Sequence, residues 1–119
     1  MARYRLSRLA ENDVSLILAT SEEQWGIEGR RRYAAVIAAA FRKVAQNLEA
    51  PVSRDRAELS AGLRSIHLRH VRISEPAAKV RRPVHIVYYR AVTPDLIEVV
   101  RLLHERMEPR RHLGAEMTD

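Results

Sequence analysis

Apolar positions are densest towards the end of the chain, in two runs, Val84-His85-Ile86-Val87-Tyr88-Tyr89 and Leu96-Ile97-Glu98-Val99-Val100-Arg101-Leu102-Leu103, joined at Thr93-Pro94-Asp95. The first run is rich in β-branched and aromatic residues, and its apolar side chains occupy both alternating faces, the pattern of a central strand covered on two sides. The second is equally apolar. Between them Pro presets φ and Asp can bond nearby backbone, so the junction reads as the turn of a hairpin. So apolar a hairpin is not stable alone in water, and helices are expected to cover one of its faces.

The upstream residues supply those helices. Tyr4 and Leu6 alternate with Arg3, Arg5 and Ser7, the period of a short strand, and Ser7 can cap a helix beginning just after it. Val14, Ile17, Leu18, Ser21 and Trp25 recur at helical spacing behind Glu11 and Asp13, which favour a helix start. This first helix is predicted to close near Trp25-Gly26, with Trp25 packed in the core. After a break bracketed by Gly26 and Gly29, Tyr33, Ile37, Ala40, Phe41, Val44 and Leu48 form a second stripe, interleaved with alanines that permit close approach and ended by Pro51. Tyr33 is expected in the core as well. Val52 to Ser60 reads as a polar connection. Leu63 to Ile73 alternates as a strand, then changes phase, which predicts a bulge or bend near Arg69-His70. Glu75 to Pro83 reads as a surface loop. The fold class is therefore α+β: a short N-terminal strand and an antiparallel two-helix hairpin on a mainly antiparallel sheet, in the order β-α-α-β-β-β. Residues 1–113 are expected to form one domain, with 114–119 a flexible tail. The segment after Leu103 is expected to fray past Pro109, so that truncation after Met107 would change stability by no more than about 1 kcal/mol.

Composition narrows the chemistry. The 119 residues contain no cysteine, which removes disulfides and thiolate metal sites and points to the cytoplasm; no apolar run is long enough for a membrane span. Lys and Arg number 21 against 15 Asp and Glu, a net charge of +6, and only Lys43 and Lys79 are lysines. Arginine grips phosphates and carboxylates with two parallel bonds, so the partner is expected to be polyanionic, either nucleic acid or an acidic protein face. The five histidines lack the spacing of a metal site, and no phosphate loop or nucleophile triad is present, so neither metal nor cofactor is expected.

Five segments in this order, YRLSRLAENDVSLI, WGIEGRRRY, AGLRSI, VYYRAV and IEVVRLLHERMEPRRHL, together resemble the RelE/ParE superfamily of toxins from type II toxin–antitoxin modules. The ParE branch is the better match. The resemblance implies a plasmid-stabilisation-like module in which a cognate acidic antitoxin neutralises the toxin as a hetero-oligomer. For a ParE-like member it implies inhibition of DNA gyrase without enzymatic activity. A RelE-like member would instead cleave mRNA on the ribosome, and a third reading is a non-toxic nucleic-acid-binding module. The chain departs from the family pattern in HVRISEPAAKVRRPV, which is longer than the usual link between the second and third strands.

RNA cleavage at a 2′-hydroxyl needs an acid, a base and cations for the phosphorane, and the candidates for these roles are Arg64, Arg90 and His104. The resemblance places such a histidine in the ParE pattern itself, and no tyrosine follows Tyr89. Both points favour the gyrase-directed reading. Candidate contacts to the target or antitoxin are Arg30, Arg31, Arg32, Arg64, Arg90, Arg101, His104, Arg106, Arg110 and Arg111.

Overall fold

The computed structural model describes residues 2–73 and 80–117, with side chains described as far as Leu113. Its elements are β1 (Arg3–Leu6), α1 (Arg8–Gln46), β2 (Arg54–Asp55), β3 (Arg64–His67), a 3-10 turn (Leu68–His70), β4 (His85–Thr93), β5 (Leu96–His104) and α2 (Pro109–Met117). They build a five-stranded sheet in the order β1-β5-β4-β3-β2. Among the described residues only the β1–β5 pair is parallel. The α+β fold with a helical hairpin on a mainly antiparallel sheet is as expected, and β2 is an addition within the stretch read as a polar connection.

Ser7 joins β1 to α1. Its Oγ accepts from the Ala10 amide at 3.0 Å and donates to the Val100 carbonyl at 2.7 Å, so one hydroxyl caps the helix and ties it to β5. The helix then folds back on itself at Gly26, whose φ of 74° and ψ of −176° lie where essentially only glycine is unstrained. The break is at Gly26 alone. Gly29 is already helical and serves a different purpose, because a Cβ there would overlap the Cβ of Trp25. The helix ends at Gln46, ahead of Pro51, where Asn47 turns extended and its Oδ1 accepts from the Glu49 amide.

The arm after Gly26 buries Tyr33, Val36, Ile37, Ala40, Phe41 and Val44 against Ile66, Val87, Tyr89, Ile97, Val99 and Leu102 of the sheet. The opposite sheet face carries Leu63, Tyr88, Val100 and Leu103, and Leu113 of α2 covers them. Residue parity along β5 changes because Tyr88 pairs with Arg101 while Tyr89 pairs with Val99. Val100 is thus the extra residue of a β-bulge, which lets Val99 and Leu102 both face α1.

Two expectations are corrected. Trp25 is 71% exposed, with Leu16 and Ile27, because the turn at Gly26 carries the end of the first arm away from the sheet. The phase change after Leu68 is the bend expected near Arg69-His70, made by a 3-10 turn (Leu68–His70) and not by a bulge in a continuing strand. His67 Nδ1 accepts from the Arg69 amide at 3.0 Å and turns the chain into the 3-10 segment, so Leu68 and Val71, three apart, both reach the core. The bulge lies in the β4–β5 ladder instead. The chain also does not fray past Pro109: that proline is the first residue of α2, where a missing N–H costs nothing, and Glu108 Oε1 accepts from the Arg110 amide at 3.3 Å. Of the loop Glu75 to Pro83, residues 75–79 lie outside the described residues.

Candidate functional site

The three residues considered for RNA cleavage are not brought together. Arg64 shares strand parity with Ile66, on the α1 side, and donates to Ser53 Oγ at 2.8 Å, while its buried Nε has no hydrogen-bond partner among the described residues. Arg90 shares parity with Tyr88, on the other side, and grips Glu98 at 3.0 and 3.3 Å; Arg5 meets the same carboxylate at 3.2 Å. Arg64 lies opposite Tyr89, whereas His104 lies opposite His85, roughly 13 Å further along β4. His104 Nδ1 accepts from the Arg106 amide at 3.1 Å and its ring meets that of His85 edge to face.

The other arginines divide between structure and surface. Arg101 is structural: Nε and Nη2 donate to the two oxygens of Asp13 at 2.8 and 2.9 Å, and Nη1 donates to the His112 carbonyl of α2 at 2.9 Å. At the tip of the helical hairpin Arg30 pairs with Glu22 and Arg31 with Glu28, both exposed. Arg32 is half-buried, and Arg110 and Arg111 are exposed on the first turn of α2.

Two concave surfaces stand out among the described residues. On the α1 side an apolar groove of about 250 Å³ runs between the two arms of α1 and the edge strand β1, lined by Tyr4, Leu6, Val14, Leu18, Ile37 and Phe41. Phe41 meets the Tyr4 ring at 5.4 Å. On the far face of the sheet lies a polar pocket of about 350 Å³, with Ser65 and Ile86 on its floor. Arg54, Arg56, His67, Arg69, His70 and Arg106 converge on it. Its single lining carboxylate among the described residues, Glu105, is held by His67 Nε2 at 2.7 Å, and this bond keeps the Glu105 carboxyl below its ordinary range. Burial, then the charge of Arg69 and His67, hold His70 below the usual imidazole range. Sequence reading passed over most of this pocket because Arg54 and Arg56 fell in an apparent connection and His67 and His70 were weighed only for the spacing of a metal site. The signal was present as basic residues two and three apart, but only the 3-10 turn aims them together. Among the described residues no group of His, Asp and Glu is placed to hold a metal, and no helix is long and apolar enough to cross a membrane.

Beside the pocket, on the α1 side, Tyr33 accepts from the Val84 amide at 3.1 Å and its hydroxyl meets His85 Nδ1 at 2.6 Å, the geometry of a donor to a neutral imidazole. Burial, with the nearby charge of His104 and His67, lowers the His85 pKa to about 4. The unfolded chain therefore takes up a proton between about pH 6.5 and 4 that the folded chain refuses, and stability falls as the pH drops through that window. Discounted for the partly exposed ring, the loss is about 2 kcal/mol. His85→Gln is expected to flatten this part of the pH profile; a denaturant series at each end of the window measures it.

Comparison with known proteins adds the family. Residues 4–109 match the family described as ParE toxin of type II toxin-antitoxin system, parDE. The toxin ParE1 of Caulobacter vibrioides is 31% identical over 114 residues, covering 96% of this chain and all of the relative. The toxin ParE1 of Mycobacterium tuberculosis, in two strains, is 27% identical over 112 residues, covering 94% of this chain and 98% of the relative. With the motif order, the helical hairpin on its sheet and a match spanning nearly the whole chain, this protein belongs to the ParE toxin family of type II toxin–antitoxin systems.

Proposed function

We propose that the chain poisons DNA gyrase, stalling it on cleaved DNA, and is held inactive by a cognate antitoxin in a toxin–antitoxin hetero-oligomer. The observation that carries the target is the family match over residues 4–109. The dispersal of Arg64, Arg90 and His104 over two sheet faces adds support, because these groups could not act on one scissile phosphate.

The apolar groove is the seat for the antitoxin. An amphipathic segment laid along it would cover Tyr4, Leu18 and Phe41 with its apolar face. The exposed Trp25 and Ile27 at the hairpin tip, beside Arg30 and Arg31, supply the aromatic and arginine anchors that protein contacts favour and suit the gyrase surface.

Expression of the chain without an antitoxin tests the proposal. Filamentation with induction of the SOS response is the expected outcome, relieved when the cognate antitoxin is co-expressed. Arrest of translation without DNA damage would instead assign the ribosome, and unimpaired growth would remove toxicity altogether.

A further inference from the structure

The basic pocket on the far face of the sheet is not used by the antitoxin groove, by the hairpin tip or by the core. Its cations have little at home to bind. Among the described residues Arg54 and Arg106 make no side-chain ion pair, and Arg69 reaches only the neighbouring His70 ring, at 3.4 Å. Arg56 differs, since Glu58 holds it at 2.8 Å and it lies over the Tyr88 ring at 5.5 Å, which fixes one wall. Among the described residues the sole lining carboxylate, Glu105, is engaged by His67. Like charges gathered around a concavity repel one another, and an anion entering it relieves that repulsion.

We propose that this pocket binds the phosphodiester backbone of a nucleic-acid strand, with Arg54, Arg69 and Arg106 contacting phosphate and His67 and His70 lining the path of the adjoining nucleotide. Arginine forks match phosphate oxygens two at a time. The pocket volume, about 350 Å³, admits a nucleotide unit but no duplex. An acidic protein segment is the less suitable occupant, because the apolar groove that would anchor such a segment lies on the α1 side of the sheet, whereas Ser65 and Ile86 place the pocket on the other. Both surfaces can therefore be filled at once. The inference concerns free oligonucleotide and stands or falls separately from the gyrase reading.

Fluorescence anisotropy of the full chain with short labelled single-stranded DNA and RNA of one sequence tests it. The informative variant is Arg54→Ala/Arg69→Ala/Arg106→Ala, whose three side chains are exposed, so that folding is preserved and verified by the melting temperature. Its control, Arg30→Ala/Arg31→Ala/Arg32→Ala, removes the same charge from the hairpin tip. The pocket variant is expected to bind at least about tenfold more weakly and to reduce the slope of log affinity against log salt by about 2, while the control stays within about threefold of the parent chain. DNA and RNA held equally would mark the backbone alone as the ligand, and a preference would identify which strand the sugar contacts select; either supports the pocket. Equal losses in the two variants would reduce the effect to net charge and overturn the proposal. So would absence of oligonucleotide binding, or binding of polyglutamate in its place.

Discussion

Replacing Asp13 by alanine is expected to lower the unfolding free energy by about 3–5 kcal/mol, the usual cost of breaking a largely buried ion pair from one side. The reason lies where β1 runs out. Its ladder with β5 ends at Leu6 opposite Val99, after which the chain turns into α1, and among the described residues no strand lies beside that edge of β5 beyond this point. Asp13 takes over: one carboxylate oxygen accepts both Arg101 Nε at 2.8 Å and the Leu102 amide at 3.0 Å, and the other accepts Arg101 Nη2 at 2.9 Å. Side chains of both residues are mostly buried, 11% and 15% exposed, so solvent does little to replace the lost contacts. Asp13→Asn keeps an acceptor for the Leu102 amide and gives up the charge, and its cost should be about half as large. Urea unfolding of the two variants measures the difference. A loss below about 1 kcal/mol for Asp13→Ala would mean that the pair is no better than a surface salt bridge.

Truncation after Met107 is expected to cost about 3–5 kcal/mol rather than the small change that the tail's charge and Pro109 suggested. Leu113, 2% exposed, is the lid on Leu63, Tyr88, Val100 and Leu103, and burial of one leucine is worth about 1.5–3 kcal/mol before the newly uncovered partners are counted. The cut also removes the His112 carbonyl that receives Arg101 Nη1. Leu113→Ala isolates the first contribution and should cost about 2–3 kcal/mol. Comparison of the two variants by thermal unfolding separates the lid from the rest of α2. If the truncated chain melts with the parent, α2 contributes nothing to the core.

These two expectations mark what could be read from the residues and what could not. The β4–β5 hairpin was legible because β-branched residues at both parities flank Pro94-Asp95, and the two arms of α1 because each stripe is long and a glycine separates them. Trp25 was misplaced because periodicity counts faces of an uninterrupted helix and does not register that a positive φ at Gly26 turns the last residues away. Helix α2 was missed because its described residues offer one apolar anchor, Leu113, on a short charged segment, and because a proline starts a helix as readily as it stops one. Strand β2, two residues long, has no pattern of its own and exists only because β3 offers it an edge. The basic pocket was invisible for a related reason. Its arginines come from β2, the 3-10 turn and the turn after β5, elements that meet only once the sheet has closed.

The target of the toxin is tested most directly by adding the purified chain to gyrase in a supercoiling reaction and, in parallel, to a translating extract. A gyrase poison should block supercoiling, accumulate cleaved DNA in the gyrase reaction and leave mRNA intact in the extract. Untouched supercoiling together with cut mRNA would contradict the account.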